Sequence, residues 1–275
     1  MDHRDEGLER TLQQALDGGN SVWAVGDVHG HRETLEALMG KLELSDGDHV
    51  ICLGDLIDRG PDSLGVLRLV EGSGNIHSIR GNHDEMLRLS VSPKHGKMMK
   101  SWLKYGGKDT LQSFSDVRQE LIEIARGWLP FIESLPTELV LRDHRLVHAG
   151  YDLSPVWKGQ FLIDKPLEDQ TNQDRMWSRT IFTAASPPDP ERQVIVGHTT
   201  VQALSRDANW IGGSELEKMV LDSGIWATDV LLDDGRPAVL GIDTGVFLAL
   251  DEDPRLTALN LKSGEVISQP RVEAE

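Results

Sequence analysis

Val22-Trp23-Ala24-Val25-Gly26-Asp27-Val28-His29-Gly30 joins a short apolar run to a polar turn that carries an aspartate and a histidine. Apolar runs of this length that are rich in β-branched residues are typical of buried strands. Four further runs end in the same way: Val50 to Leu53 before Gly-Asp-Leu-Ile-Asp-Arg-Gly (54–60), Ile76 to Ile79 before Gly-Asn-His-Asp (81–84), Leu146 to Val147 before His-Ala-Gly (148–150), and Val194 to Val196 before Gly-His-Thr (197–199). The sequence therefore predicts five buried strands that each end in a polar turn.

The side chains at these turns have the chemistry of metal ligands. In sheets flanked by helices, ligand sites form just beyond the strand ends, so five such ends can converge on one cluster. Gly26 and Gly30 permit the tight backbone that aims Asp27 and His29 at one point, and the carboxylate of Asp55 can bridge two cations. The neutral donors are Asn82, His148 and His198. A set without thiolates suits Mn, Fe, Zn, Ni or Co, so we predict a polynuclear metal site.

Composition and charge narrow the class of protein. The 275 residues include 28 basic and 45 acidic side chains, for a formal net charge of -17. A field of this sign repels nucleic-acid backbones and anionic membranes, so neither is an expected partner. A small phosphate group remains acceptable, because metal cations and arginines make a pocket locally positive.

Targeting signals and reactive thiols are not indicated. No stretch approaches the unbroken apolar length of a membrane-spanning helix. Met1 to Asn20 is charged and is interpreted as a short surface helix rather than a secretory signal, so the expected location is the cytoplasm. The single cysteine, Cys52, lies in an apolar run, where a thiol is interpreted as a small buried hydrophobic group.

The chain is expected to form one domain with an inserted subregion. Helical patterns alternate with strands from Ser21 to about Leu89, as in βαβ units. Helical periodicity predicts a helical insertion at about 85–136, and an extra segment of unassigned role follows at about 205–237. The second half is mainly β, with one strand expected at Val246 to Leu250. The polar C-terminus, Ser268 to Glu275, is expected to be mobile.

Taken together, the five motifs resemble the signature of the calcineurin-like metallophosphoesterases, and in particular of the bacterial serine/threonine phosphoprotein phosphatases. The resemblance runs from about Val22 to Leu261. It includes Met176-Trp177-Ser178-Arg179 and Gly241-Ile242-Asp243-Thr244-Gly245, which are similar to later segments of the family. The resemblance implies an α/β fold with four layers, α-β-β-α, in which two mixed β-sheets pack face to face with flanking helices and the helical insertion.

The resemblance also implies how the donors are shared between metals. It implies two divalent cations, with manganese first among the candidates. Asp27, His29 and Asp55 would hold one cation, and Asp55, Asn82, His148 and His198 would hold the other. A hydroxide held between the cations would attack phosphorus in line with the leaving oxygen.

Four further residues are expected to act on the substrate phosphate. His83 would protonate the leaving alkoxide, and Asp58 would hold that imidazolium in place. Arg59 and Arg179 are the expected phosphate clamps, because a guanidinium pairs with two phosphoryl oxygens in a fixed fork. The expected substrate is a phosphorylated protein side chain, on serine, threonine or tyrosine, or a small phosphoester.

Two other functions remain open. A neighbouring branch of the superfamily hydrolyses diadenosine tetraphosphate, and Asp84 resembles that branch because phosphoprotein phosphatases more often carry Glu there. Against it, the symmetrical tetraphosphatases usually have Gln in place of His29 and Ala in place of Asp58. A non-catalytic metal-binding scaffold is the third alternative, although a scaffold has no need of an acid or of phosphate clamps. The physiological substrate, the native metal and the oligomeric state are not readable from the sequence.

Overall fold

Two five-stranded β-sheets form the centre of the fold. The structure is a computed structural model that describes residues 4–92, 98–158, 161–163, 165–206 and 219–274. The described strands are β1 (Val22–Val25), β2 (His49–Cys52), β3 (Ile76–Ser78), β4 (Glu138–Val140), β5 (His144–Val147), β6 (Val156–Lys158), β7 (Phe161–Ile163), β8 (Gln193–Val196), β9 (Trp226–Ala227), β10 (Val239–Gly241), β11 (Arg255–Asn260) and β12 (Val266–Pro270). The first sheet has the order β12-β11-β1-β2-β3 and the second has the order β4-β5-β8-β10-β9.

Both sheets are mixed, with three parallel strands and antiparallel neighbours. In the first sheet β1, β2 and β3 run parallel, and β11 pairs antiparallel with both β1 and β12. In the second sheet β5, β8 and β10 run parallel, whereas β4 and β9 are antiparallel. Strands β6 and β7 pair separately. Parallel neighbours end at the same edge of a sheet, so the turns that follow them are brought together.

Helices cover the outer faces of the sheets and connect the strands. The described α-helices are α1 (Glu6–Asp17), α2 (Arg32–Lys41), α3 (Ser63–Gly72), α4 (Asn82–Val91), α5 (Met99–Trp102), α6 (Lys108–Phe114), α7 (Leu121–Gly127), α8 (Leu129–Ser134), α9 (Asn172–Trp177) and α10 (Val201–Arg206). A π-helical turn, Leu103–Gly107, joins α5 to α6. Within the described ranges, none of these helices combines the length and the apolarity that a bilayer crossing requires.

The alternation of side chains along the strands produces the four layers. In β1, Val22 and Ala24 point between the sheets, where they pack with Leu146 and Ile195 of the second sheet. Trp23 and its neighbour Val25 point outward against the helices. Because successive strand residues face opposite sides, apolar runs such as this one must be covered on both faces. The predicted four-layer α/β fold is confirmed.

The predicted strand at Val246 to Leu250 is wrong. Leu248 N donates to Gly245 O at 2.9 Å, which closes a turn at this point. A 3-10 turn, Leu250–Glu252, follows. The apolar side chain of Phe247 packs against the site described below instead of a neighbouring strand, so its hydrophobicity does not indicate a strand.

The expectation of a mobile C-terminus is also wrong. Strand β12 pairs with β11 through five residue pairs. Beyond it, the buried carboxylate of Glu273 accepts a hydrogen bond from Thr34 N (3.0 Å) in the first turn of α2. Neither main-chain pairing nor the capping of a free helix N–H group requires apolar residues. The polar composition of this segment therefore did not indicate that it is ordered.

Only part of the extra segment at about 205–237 can be described. Residues 207–218 lie outside the described residues. After them, Val220 forms an antiparallel bridge with Trp226, and β9 extends the second sheet beside β10.

Candidate metal centre

The six predicted metal ligands meet where the strands of both sheets end. They are Asp27 and His29 after β1, Asp55 after β2, Asn82 at the start of α4, His148 after β5 and His198 after β8. His198 is half-buried, and the other five are buried. The sheets therefore position donors that lie far apart in the sequence.

Asp55 lies at the centre of this group. Its Oδ2 is 3.6 Å from His29 Nε2, and its Oδ1 is 3.4 Å from His148 Nε2. Asp27 Oδ2 lies 3.9 Å from the same nitrogen of His29. Each oxygen of Asp55 thus faces a different histidine, which is the arrangement that a bridging carboxylate requires.

Backbone carbonyls select the tautomer of two histidines. His29 Nδ1 lies 2.9 Å from Ile57 O, and His148 Nδ1 lies 2.7 Å from Leu53 O. A carbonyl oxygen only accepts, so Nδ1 of each neutral ring is the donor and Nε2 carries a lone pair. Burial lowers the pKa of both imidazoles, which keeps them neutral. Both Nε2 atoms therefore carry the lone pair that a metal ligand needs.

Several lone pairs converge at Asn82. Its Oδ1 lies 2.8 Å from His148 Nε2 and 2.8 Å from His198 Nδ1. Because His148 Nε2 carries a lone pair, its contact with Asn82 brings two acceptors together, and Asp55 Oδ1 adds a third. A cation between these atoms would replace the repulsion by coordination. The donor set therefore fits a divalent metal ion.

Negative charge also accumulates beside these ligands. Burial raises the pKa of Asp27 well above its usual range, and Asp243 and Asp55 raise it further. Burial also raises the pKa of Asp243 to about 6. Divalent cations would oppose both shifts, because they stabilise the charged form of a carboxyl group.

Backbone strain is concentrated at the same turns. His29, Asp55, Asp58, Arg59 and His198 have φ between 45° and 75°, although none of them is glycine. Only two other non-glycine residues in the described ranges share a positive φ. This conformation costs about 1–2 kcal/mol per residue and persists where the surrounding contacts hold it. The fold therefore tolerates backbone strain at the turns where it orients these side chains.

Gly81 and Gly197 permit close approaches of the backbone to two predicted ligands. A Cβ at Gly81 would lie 2.3 Å from Asp55 N, and one at Gly197 would lie 2.2 Å from Asp27 Oδ1. Any side chain at either position would displace a predicted metal ligand.

Asp84 ties two of the ligand-bearing turns together. Its buried carboxylate accepts hydrogen bonds from the backbone N–H groups of Asp55 (2.9 Å), Leu56 (3.1 Å) and Gly81 (2.9 Å). The identity of this residue is therefore explained by the packing of the two turns rather than by contact with a substrate.

His83 and Asp58 form a buried pair beside the metal ligands. His83 Nδ1 donates to Asp58 Oδ2 at 2.7 Å. Trp102 Nε1 (2.9 Å) and the Thr110 hydroxyl (2.5 Å) donate to the same carboxylate. Burial raises the pKa of Asp58, and the hydrogen bonds from His83, Thr110 and Trp102 oppose that effect. The pair holds the imidazole with Nε2 directed away from Asp58, towards Arg59.

Arg59 joins the predicted acid to a predicted metal ligand. Its Nη1 donates to His29 Nε2 at 2.8 Å, and its Nη2 donates to His83 Nε2 at 3.0 Å. The guanidinium carbon lies 3.9 Å from the centroid of the Phe247 ring, which stabilises the cation. The guanidinium therefore lies between the two groups that a phosphoryl substrate would have to reach.

Arg179 approaches from the second sheet. It is half-buried and precedes the 3-10 turn Thr180–Thr183. Burial lowers the pKa of its guanidinium, and the carboxylates of Asp55 and Asp27 oppose that effect. The structure thus brings all ten predicted site residues into one region.

The sequence analysis did not assign a role to several contributors to this region. Asp243 follows β10 as the predicted ligands follow their strands, so the rule of strand ends applies to it as well. Trp102 and Thr110 come from the helical insertion, and Phe247 comes from the wrongly predicted strand. No local pattern marks these three side chains, because only the packing of distant segments brings them to the site.

Comparison with known proteins identifies the family. The family model described as calcineurin-like phosphoesterase matches residues 21–231. This range covers most of the chain and contains all ten predicted site residues. The chain therefore belongs to the calcineurin-like phosphoesterases, a family of metal-dependent phosphoesterases.

The names of the curated relatives are of two kinds, protein phosphatase and nucleosyl tetraphosphatase. Serine/threonine-protein phosphatase 2 of Escherichia coli (strain K12) is 31% identical over 149 residues, which are 53% of this chain and 66% of that protein. Serine/threonine-protein phosphatase 1 of Salmonella typhimurium is 33% identical over 48% of this chain and 60% of that protein. The symmetrical bis(5'-nucleosyl)-tetraphosphatase of Erwinia tasmaniensis is 41% identical over 50% of this chain and 46% of that protein. The chain thus spans less than two thirds of the length of each.

Solved structures support the fold. A putative diadenosine tetraphosphatase has a TM-score of 0.54 at 21% identity, over 93% of this chain and 95% of that chain. A protein serine/threonine phosphatase from Saccharomyces cerevisiae has a TM-score of 0.53 at 14% identity, over 98% of this chain and 89% of that chain. At these identities the likeness concerns the fold alone.

Proposed function

We propose that this protein is a metal-dependent phosphomonoesterase that hydrolyses phosphoserine and phosphothreonine in proteins, with phosphotyrosine as a further substrate. The observation that carries the proposal is the contact between His83 and Asp58, at 2.7 Å. An alkoxide from serine or threonine is a poor leaving group, so its departure depends on a positioned proton donor.

The surroundings of Asp58 support a role of this kind. Trp102 donates to both oxygens of the carboxylate, including the Oδ2 that His83 contacts, and Thr110 donates to Oδ1. Replacement of either donor would allow the carboxylate to turn, and the imidazole would then lose its fixed orientation. A buried histidine held so closely is oriented to deliver a proton at one place, His83 Nε2, once Arg59 has turned from that nitrogen to a bound phosphoryl group and the nitrogen has taken up a proton.

Two divalent cations fit the donor set described above. Asp27, His29 and Asp55 would hold one cation, and Asp55, Asn82, His148 and His198 would hold the other. Bound cations would supply Lewis acidity to the phosphoryl group and would lower the pKa of a water nucleophile. We propose manganese as the first metal to supply in an assay, because oxygen and imidazole ligands without thiolate suit it.

Two arginines are proposed to bind the phosphoryl oxygens. Arg59 already lies within hydrogen-bonding distance of His29 and His83, so a phosphoryl group there would meet the guanidinium and the acid together. Arg179 would approach from the other sheet. Their fork geometry would orient the phosphoryl group and neutralise its charge.

The test compares leaving groups. In the manganese-supplemented enzyme, His83→Asn should lower kcat/KM for a phosphoserine peptide by about 100-fold, the scale of general acid catalysis. The same variant should retain most of its turnover of p-nitrophenyl phosphate, whose leaving group needs no proton. His77→Asn, on β3, is the matched control. An undiminished rate on the peptide in His83→Asn would remove the proposed acid.

A dinucleoside polyphosphate hydrolase is the second candidate. It is favoured by the symmetrical tetraphosphatase of Erwinia tasmaniensis, which is 41% identical over half of this chain. Comparison of kcat/KM for a phosphoserine peptide and for diadenosine tetraphosphate would decide between the two. A higher value for the dinucleotide would overturn the proposal of a phosphoprotein phosphatase. Failure to hydrolyse even p-nitrophenyl phosphate with added manganese would instead favour a non-catalytic scaffold.

A further inference from the structure

The lysines of this chain are concentrated in one short stretch. Five of the ten lysines lie within residues 94–108, and this stretch contains no aspartate or glutamate: they are Lys94, Lys97, Lys100, Lys104 and Lys108. The chain as a whole has a net charge of -17. The stretch is therefore a local exception to an acidic molecule.

Three of these lysines form one exposed surface, which we call the lysine face. Lys100, Lys104 and Lys108 are exposed and together line a cavity of about 520 Å³. The backbone turns at Gly106 (φ 118°), between the second and the third of these lysines, and the shared cavity shows that all three still face the same space. Among the described lysines only Lys165 forms an ion pair, so the charges of the lysine face are available to a partner.

The same segment is attached to the proposed catalytic pair. Trp102 lies between the first two lysines of the face and donates to Asp58. Gly106 O accepts a hydrogen bond of 3.5 Å from Arg59 N. A Cβ at Gly106 would lie 2.8 Å from that nitrogen, so the backbone approaches closely here. The lysine face is therefore anchored beside the phosphate clamp.

A second cavity connects the lysine face to the clamp. It measures about 570 Å³, and its lining includes Arg59, Phe247 and Asp109. Asp109 also lines the cavity of the lysine face, so the two cavities are adjacent. Among the described residues that line the two cavities it is the only acidic one, against three lysines, Arg59 and Arg271. The path that leads away from the clamp is thus positively charged.

We propose that the lysine face binds acidic residues that flank the phosphorylated side chain of a protein substrate. The inference rests on the proposed phosphoprotein phosphatase function and adds a substrate class to it. The rest of this molecule repels an acidic polypeptide. The lysine face would attract such a polypeptide and would orient it with its phosphorylated residue at Arg59.

The experiment uses two phosphoserine peptides that differ only in their flanks, one with aspartates and one with asparagines. The full chain with added manganese is compared with K100Q/K104Q/K108Q. The matched control is R10Q/K41Q/R68Q, which removes the same charge from α1, α2 and α3, outside both cavities. Turnover of p-nitrophenyl phosphate reports on the catalytic centre in all three proteins.

The wild-type protein should prefer the acidic peptide by about five- to twentyfold in kcat/KM at low ionic strength, because exposed ion pairs each contribute modestly. The preference should fall as salt is added. It should disappear in K100Q/K104Q/K108Q and persist in the control, with p-nitrophenyl phosphate turnover unchanged in both. Turnover of the two peptides at equal rates by the wild type, or a preference that survives in K100Q/K104Q/K108Q, overturns this inference alone. Hydrolysis of p-nitrophenyl phosphate without turnover of either peptide overturns the proposed function and this inference with it.

Discussion

Replacement of His144 by phenylalanine should make the protein more resistant to acid. His144 is the first residue of β5 and is 8% exposed. Its Nδ1 is buried and has no hydrogen-bond partner among the described residues. Burial and, after it, the positive charge of Arg236 lower the pKa of this imidazole from 6.5 to about 4, against the opposing effect of Asp143. The folded protein therefore resists protonation of a group that the unfolded chain protonates readily.

The sign and size of the effect follow from proton linkage. Above pH 6.5 His144 is neutral in both states and costs nothing. As the pH falls from 6.5 to about 4, the unfolded state binds the proton first, so the free energy of unfolding decreases. The gap between the two pKa values corresponds to about 3 kcal/mol, at 1.36 kcal/mol for each tenfold change in proton affinity. Below about pH 4 the loss is complete and becomes constant.

The assay is urea denaturation of the wild-type and H144F proteins at several pH values between 7 and 4. The difference in their free energies of unfolding should grow by about 3 kcal/mol over this range in favour of the variant. Carboxylates that titrate in the same range cancel in the difference. The matched control is H49F, at the first residue of β2, where the histidine is more exposed and the gain should be smaller. A difference between H144F and wild type that does not change with pH would refute the reasoning.

Three further outcomes test the site and the core. Gly81→Ala should abolish turnover and weaken manganese binding measured by calorimetry, because its Cβ would lie 2.3 Å from Asp55 N; retained affinity would contradict the close packing. Trp102→Phe should lower kcat on a phosphoserine peptide by about 10-fold or more through the loss of one donor to Asp58, while p-nitrophenyl phosphate turnover changes little; equal losses on both substrates would argue for general misfolding. Cys52, whose pKa is raised by burial to about 12, should resist thiol reagents at pH 8 until urea unfolds the chain, and rapid labelling of the folded protein would show that the strand opens.

The strand-end motifs were predictable because they depend on local chemistry. A short apolar run followed by glycine and a ligating side chain is a complete unit in the sequence. Parallel strands then place such units at a common edge. The sequence alone therefore groups Asp27, His29 and Asp55. The same rule extends to Asp243, which follows β10.

Other features depended on contacts between distant segments. The role of Trp102 depends on the path of the helical insertion past Asp58, to which it donates a hydrogen bond across 44 positions of the chain. The ring of Phe247 stacks on the guanidinium of Arg59. A hydrophobic pattern in the sequence cannot distinguish a side chain with this role from one that lies in a buried strand. The C-terminus is ordered through backbone pairing and through Glu273, neither of which is visible as apolar character.

The sequence by itself determined the family, the alternation of buried strands with ligand-bearing turns, and the identity of the ten proposed site residues. These depend on residue type and spacing, which are properties of short segments. The tertiary structure decided which nitrogen of His29 and of His148 faces the centre, because the carbonyls that select the tautomers come from other turns. It also decided that a basic surface lies beside the phosphate clamp of an acidic protein, since only packing places residues 100–109 next to Arg59.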